Sequence, residues 1–106
     1  MTPLDLLTLT ADRLVAALAE QSLACSSQLD AGREYSAVLG ELCRAVVATH
    51  AGAPQSAEAD RALNRKIARA KVEITKADDQ LRQANERVRL AEIEYNHALA
   101  LMPEPA

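Results

Sequence analysis

The stretch Leu63–Met102, LNRKIARAKVEITKADDQLRQANERVRLAEIEYNHALALM, decides the fold. One series of large residues recurs in it at every seventh position: Ile67, Ile74, Leu81, Val88, Tyr95 and Met102. A second series, Ala70, Ala77, Ala84, Ala91 and Ala98, interleaves with the first. The steps alternate three and four, which is the signature of a heptad seam with a bulky residue at one core position and alanine at the other. The remaining positions are densely charged. A helix of this kind expects one close partner along its length, and no catalytic or ligand-binding motif shows such regularity.

Working back toward the N-terminus, Thr2-Pro3-Leu4-Asp5 reads as a helix start. Thr2 can cap, Pro3 suits the first helical position, and the Asp5 carboxylate can reach back to the cap amide. A 3/4 rhythm then runs through Leu4, Leu7, Ala11, Leu14, Leu18, Gln21, Cys25, Gln28, Gly32, Tyr35, Leu39, Leu42 and Val46. Its continuity predicts one helix over 3–49. A break near 26–32 is the competing arrangement and gives three helices: Asp30 could cap a new one, and glycine at 32 weakens any helix by roughly 1 kcal/mol relative to alanine. Residues 50–56, HAGAPQS, form the expected loop. Gly52 suits a left-handed position after the first helix, Pro54 prevents continuation, and Ser56 can cap a second helix over 57–102 that Pro103 and Pro105 end. A short loop makes the two helices antiparallel neighbours. The reading is therefore an all-α, long antiparallel two-helix coiled-coil hairpin forming a single domain over 1–106.

Folding the chain about Ala53 brings together positions whose numbers add to about 106. Tyr35 then faces Ala70, Leu14 faces Ala91, Gly32 faces Ile74 and Leu18 faces Val88. Most layers pair large with small, as dense packing needs. In a rod of this kind, at 1.5 Å per residue, each helix would extend about 65–70 Å. Gln21 and Gln28 fall on the seam near Ala84 and Ala77, from where their amides are expected to reach water.

Composition agrees with thin helix-on-helix packing. The chain is 49% hydrophobic but contains no Phe, no Trp and only two Tyr, so it lacks the aromatic bulk of a thick core. The net charge of −3 gives no general attraction to nucleic acid. No basic region of a secretory signal opens the chain, and no apolar run reaches membrane-spanning length, so a cytoplasmic setting is expected. Cys25 and Cys43 are not spaced as a CxxC pair and read as reduced, buried thiols.

The chemistry of sites is sparse. His50 and His97 stand far apart with no partner set at ligand spacing, and Glu94 with His97 reads as a surface pair. There is no Gly-rich phosphate loop, nucleophile elbow or paired-carboxylate pocket. The expectation is a protein with no catalytic residues, no cofactor, no metal and no small-molecule substrate.

What the sequence offers instead is surplus apolar surface. The first helix is apolar or small at about four of seven heptad positions, more than one partner helix covers. The partner-binding candidates are Leu6, Leu9, Val15, Leu23 and Leu29, with Leu90 and Ile93 at the rim. Dimerisation into a four-helix bundle would bury this excess, and so would a helix from another protein. Between 61 and 76, six basic residues are countered only by Glu73, a face that a nucleic acid could use. In architecture the chain resembles small bacterial helical hairpins, such as the export chaperones and stalk-type proteins of flagellar and type III secretion systems. That likeness of size and Ala/Leu-rich coil carries over no residues. It implies a non-enzymatic interaction module of chaperone or adaptor type in a secretion or assembly system. The alternatives are a purely structural self-assembling coil and a small nucleic-acid-binding regulator.

Overall fold

A computed structural model describes residues 1–103 and contains two helices, α1 (Pro3–His50) and α2 (Ala57–Ala100), packed against each other as a hairpin. Pro105, expected to help end the second helix, lies outside the described residues. α1 runs unbroken through 26–32, so the three-helix arrangement is not adopted.

The ends are built as the local chemistry requires. At the start of α1, the Thr2 N–H donates to Asp5 Oδ2 at 3.1 Å, and the Asp5 N–H donates to Thr2 Oγ1 at 3.1 Å. This reciprocal capping box satisfies two otherwise orphan amides. The backbone hydrogen bond from Thr2, and then its side chain, hold the Asp5 carboxyl below the usual carboxylate range. At the other end, Gly52 adopts φ +95°. The Ala53 N–H donates to Ala48 O at 3.0 Å and the Gly52 N–H to Thr49 O at 3.1 Å. These two bonds form a Schellman motif around a left-handed glycine. Ser56 Oγ then accepts the Ala59 N–H at 3.2 Å and caps α2. α2 stops at Ala100, two residues short of Met102. Leu101 and Met102 make i→i−3 bonds to Ala98 and Leu99, a tightened last turn. Pro103 disfavours helical backbone at the residue before it, which accounts for the early stop.

The contacts fall into two compact units, one of Met1–Cys25 with Gln80–Ala106 and one of Ser26–Asp79. In the first unit Ala17, Val88 and Ala91 form a buried cluster with Leu14 packed on it, and Ala24, Ala84 and Ala98 are also buried. Thr10 is buried too, and its hydroxyl donates to the carbonyls of Leu6 and Leu7 at 2.9 and 3.0 Å, so no polar atom is stranded. In the second unit Val38, Ala70 and Ala77 are buried, with Tyr35, Leu42, Ile67 and Ile74 half-buried beside them.

On α2 the strict seam is the inward face: from Ile67 to Met102, the only half-buried residue outside it is Asp78. On α1 half of the expected seam is displaced by one residue. Leu7, Leu14, Gln21, Gln28, Tyr35 and Leu42 point inward as expected. Their buried companions are Thr10, Ala17, Ala24 and Val38; of the expected series Leu18 and Cys25 are exposed, whereas Ala11, Gly32 and Leu39 are half-buried, as is Ala31. Leu18 is 44% exposed, and Val46 and Leu4 are exposed as well. The reason is volume. α2 presents alanine at every seventh position, which lets the backbones approach closely, and the remaining inward positions of α1, where space is short, go to small residues such as Ala17 beside Val88. Cys25 and Cys43 are both exposed, so their expected burial is not observed.

The glutamines also differ from expectation. Gln21 Nε2 donates to Asn85 Oδ1 at 2.8 Å, and Gln28 Nε2 donates to Asp78 Oδ1 at 2.8 Å. Each amide is taken up by a polar residue one position beyond the alanine it was expected to face.

Candidate interaction surface

With its inward positions fixed, α1 has two flanks of different chemistry. One flank is the heptad series Leu6, Arg13, Glu20, Ser27, Glu34 and Glu41. It carries the ion pairs to α2. In the first unit Arg13 meets Glu94 at 3.6 Å and Glu20 meets Arg87 at 3.0 Å; in the second Glu41 meets Lys66 at 3.3 Å. All six side chains are about half exposed, so each pair contributes little, on the order of 0–1 kcal/mol. Elsewhere on α2, the Arg89 guanidinium hydrogen-bonds Glu86 through Nε at 3.0 Å, and that bond holds the Glu86 carboxyl below its ordinary value. Glu94, expected to pair with His97, is engaged by Arg13 instead.

The opposite flank consists of Leu4, Ala11, Leu18, Cys25, Gly32, Leu39 and Val46, beside Thr8, Val15, Ser22, Leu29, Ser36 and Cys43. These positions also alternate by three and four, so α1 carries a second seam. Every charged residue of α1 lies off it: Asp5, Asp12, Arg13, Glu20, Asp30, Arg33, Glu34, Glu41 and Arg44 occupy the three other outward heptad positions. α2 leaves this seam largely open, with Val15 67% and Leu29 60% exposed.

The partner-binding candidates divide between these surfaces. In the first unit, Leu90 lines a shallow groove on the ion-paired flank with Arg13, Ala16, Glu20, Arg87 and Glu94. Leu9 and Leu23 share the heptad position of Ala16, and half-buried Leu6 that of Arg13. Val15 lies on the opposite flank, and Ile93 on the outer back of α2. Leu29, in the second unit, shares the heptad position of Val15. Leu9, Val15, Leu23, Leu29, Leu90 and Ile93 are all exposed. Leu4 and Leu18, assigned to the hairpin's own core from sequence, belong to the open surface.

On α2 in the second unit, Arg61, Arg65, Arg69 and Lys71 are exposed and have no ion-pair partner among the described residues, whereas Lys76 pairs with Glu73 at 3.5 Å. No described helix is long and apolar enough to cross a membrane. Among the described residues no three His, Cys, Asp or Glu side chains are grouped so that they could hold a metal ion. Comparison with known proteins finds no matching family model, no matching curated protein and no matching solved structure.

Proposed function

We propose that this hairpin is a non-enzymatic protein-interaction module of chaperone or adaptor type. Its α1 receives an amphipathic helix along the open second seam, by helix-in-groove packing. The observation that carries this reading is the charge-free 3/4 series with Val15, Leu18 and Leu29 exposed on it. A seam already occupied by α2 on one face of the helix offers the same recognition chemistry on another. A cytoplasmic secretion or assembly system is the setting in which such hairpins hold a partner's helix.

The test is recovery of partners from the native cell with the wild-type chain, with Val15→Glu/Leu18→Glu and with Leu9→Glu/Leu23→Glu. Helicity should be unchanged in all three, since these side chains lie outside the buried seam. The reading expects a specific protein to be lost from the Val15/Leu18 variant and kept by the Leu9/Leu23 variant. Recovery of the same proteins by all three chains would reject the seam as the binding surface.

The unpaired Arg61, Arg65, Arg69 and Lys71 favour one second reading, a regulator that contacts nucleic-acid phosphates. It requires binding that falls steeply with added salt. Absence of binding to duplex or single-stranded probes at low salt removes it.

A further inference from the structure

We infer that the occupant of the open α1 seam is the α1 helix of a second copy, packed antiparallel. This rests on the reading of that seam as a helix-binding surface and names its partner. Three observations converge on it.

The first is exposure. Along the seam Leu4 is 60%, Val15 67%, Leu18 44%, Leu29 60% and Val46 47% exposed, an apolar series that a second helix would cover.

The second is the sequence of the seam itself. An antiparallel two-fold pairing in which position numbers add to 47 sets Leu4 against Cys43 of the second copy, Thr8 against Leu39, Val15 against Gly32, and Ser22 against Cys25. Leu18 meets Leu29. Most bulky residues then enter a small neighbour, and no layer places a charge in the interface. A parallel pairing instead stacks each layer on itself and leaves Gly32 against Gly32.

The third is charge. The outward position flanking the seam reads Asp5, Asp12, Ala19, Ser26, Arg33, Gly40 and Val47. In antiparallel pairs, equivalent flanks face each other. The same register brings Asp12 beside Arg33 of the second copy, twice by symmetry. Arg33 is only loosely held within its own helix, 3.9 Å from Asp30 with both side chains well exposed.

The experiment is the mass of the full chain by light scattering over a dilution series, with four variants. The wild type should be a dimer at about 100 µM, since interfaces of this class bind in the micromolar range or tighter. Val15→Glu should be a monomer of unchanged helicity. Asp12→Arg and Arg33→Asp should each weaken the dimer about tenfold by placing like charges together, and the double exchange should restore the Kd to within about threefold. A monomeric wild type at that concentration, or a dimer untouched by Val15→Glu, overturns the inference. So do single exchanges without effect, or a double exchange that fails to restore. A monomeric wild type that still loses its cellular partner on Val15→Glu/Leu18→Glu would refute the second copy while leaving the seam's binding role in place.

Discussion

Ala17→Leu is the substitution that tests the packing most directly. Ala17 is 7% exposed and clusters with Val88 and Ala91. Leucine adds about three methylene equivalents, which would contribute about 2.4 kcal/mol if there were room to bury them. Val88, Ala91 and Leu14 already close the space around Ala17. The expected result is overpacking, a loss of about 1–3 kcal/mol. For a chain of this size each kcal/mol moves Tm by about 4–8 °C, so the melt should fall by about 5–20 °C. Leu18→Ala is the companion. Its side chain is 44% exposed in the single chain, so truncation should cost about 1 kcal/mol at most. If Leu18 instead occupied the hairpin seam, the order would invert. Leu18→Ala would then cost about 3–5 kcal/mol, and Ala17→Leu would be a near-neutral surface change. Urea and thermal unfolding followed by circular dichroism, at a dilution where light scattering reports a monomer, separates the two. A wild-type-like melt for Ala17→Leu, with a loss of several kcal/mol for Leu18→Ala, would refute the alanine-lined packing.

Further outcomes follow from single features. Gly52→Ala should lose about 1–2 kcal/mol by thermal melt, because φ +95° strains any side chain even though no atom lies within 4 Å of the added Cβ; an unchanged melt would mean that the left-handed cap does not form. The Asp5 carboxyl is held below its unfolded value, so its contribution is present above about pH 3.9 and is lost as pH falls through the lower folded value. The Thr2 amide resonance should therefore titrate below about pH 4 and stop doing so in Asp5→Asn. Cys25 and Cys43 should both react with a thiol reagent in the dilute native chain, and a need for denaturant would contradict their exposure. A double-mutant cycle on Gln28→Ala and Asp78→Ala should return a coupling of about 1 kcal/mol, the net worth of one hydrogen bond, and zero coupling would remove that contact.

The inward face of α2 was legible in the sequence because its heptad series has no competitor: shifted by one residue in either direction, most members become polar or charged, as at Lys66, Lys71, Asp78 and Arg87. α1 was legible only in part. The series Leu7, Leu14, Gln21, Gln28, Tyr35, Leu42 can be completed by Leu18, Cys25 and Leu39 or by Ala17, Ala24 and Val38, and both choices keep the 3/4 spacing. Apolar patterning cannot decide between them, since it favours the larger residues. The deciding term is the volume left between two helices that the alanines of α2 allow to approach closely, which is a property of the pair. The same ambiguity concealed the second seam. Leu4, Leu18 and Leu39 read as core in that pattern, so of the second seam only Val15 and Leu29 stand out as surplus apolar surface, together with Leu9, Leu23 and Leu90 beside the ion pairs. The caps and turn were legible because they depend on residues a few positions apart, and Thr2–Asp5, Gly52 and Ser56 each act where the local pattern put them.

One consequence of the alanine-lined packing concerns heat. No large side chain among the described residues is fully buried. Unfolding therefore uncovers less apolar surface per residue than it does in an ordinary domain. The heat-capacity increment of the isolated chain should fall below the usual 1.2–1.5 kcal/mol/K or so for about 100 residues, and the unfolding enthalpy should be small with it. Its stability curve is then shallow and wide, with a gradual melt and little loss on cooling. A chain of this kind keeps nearly the same modest reserve of stability over a broad range of temperature, and a helix laid along α1 would deepen that curve by adding the apolar burial that the hairpin lacks on its own.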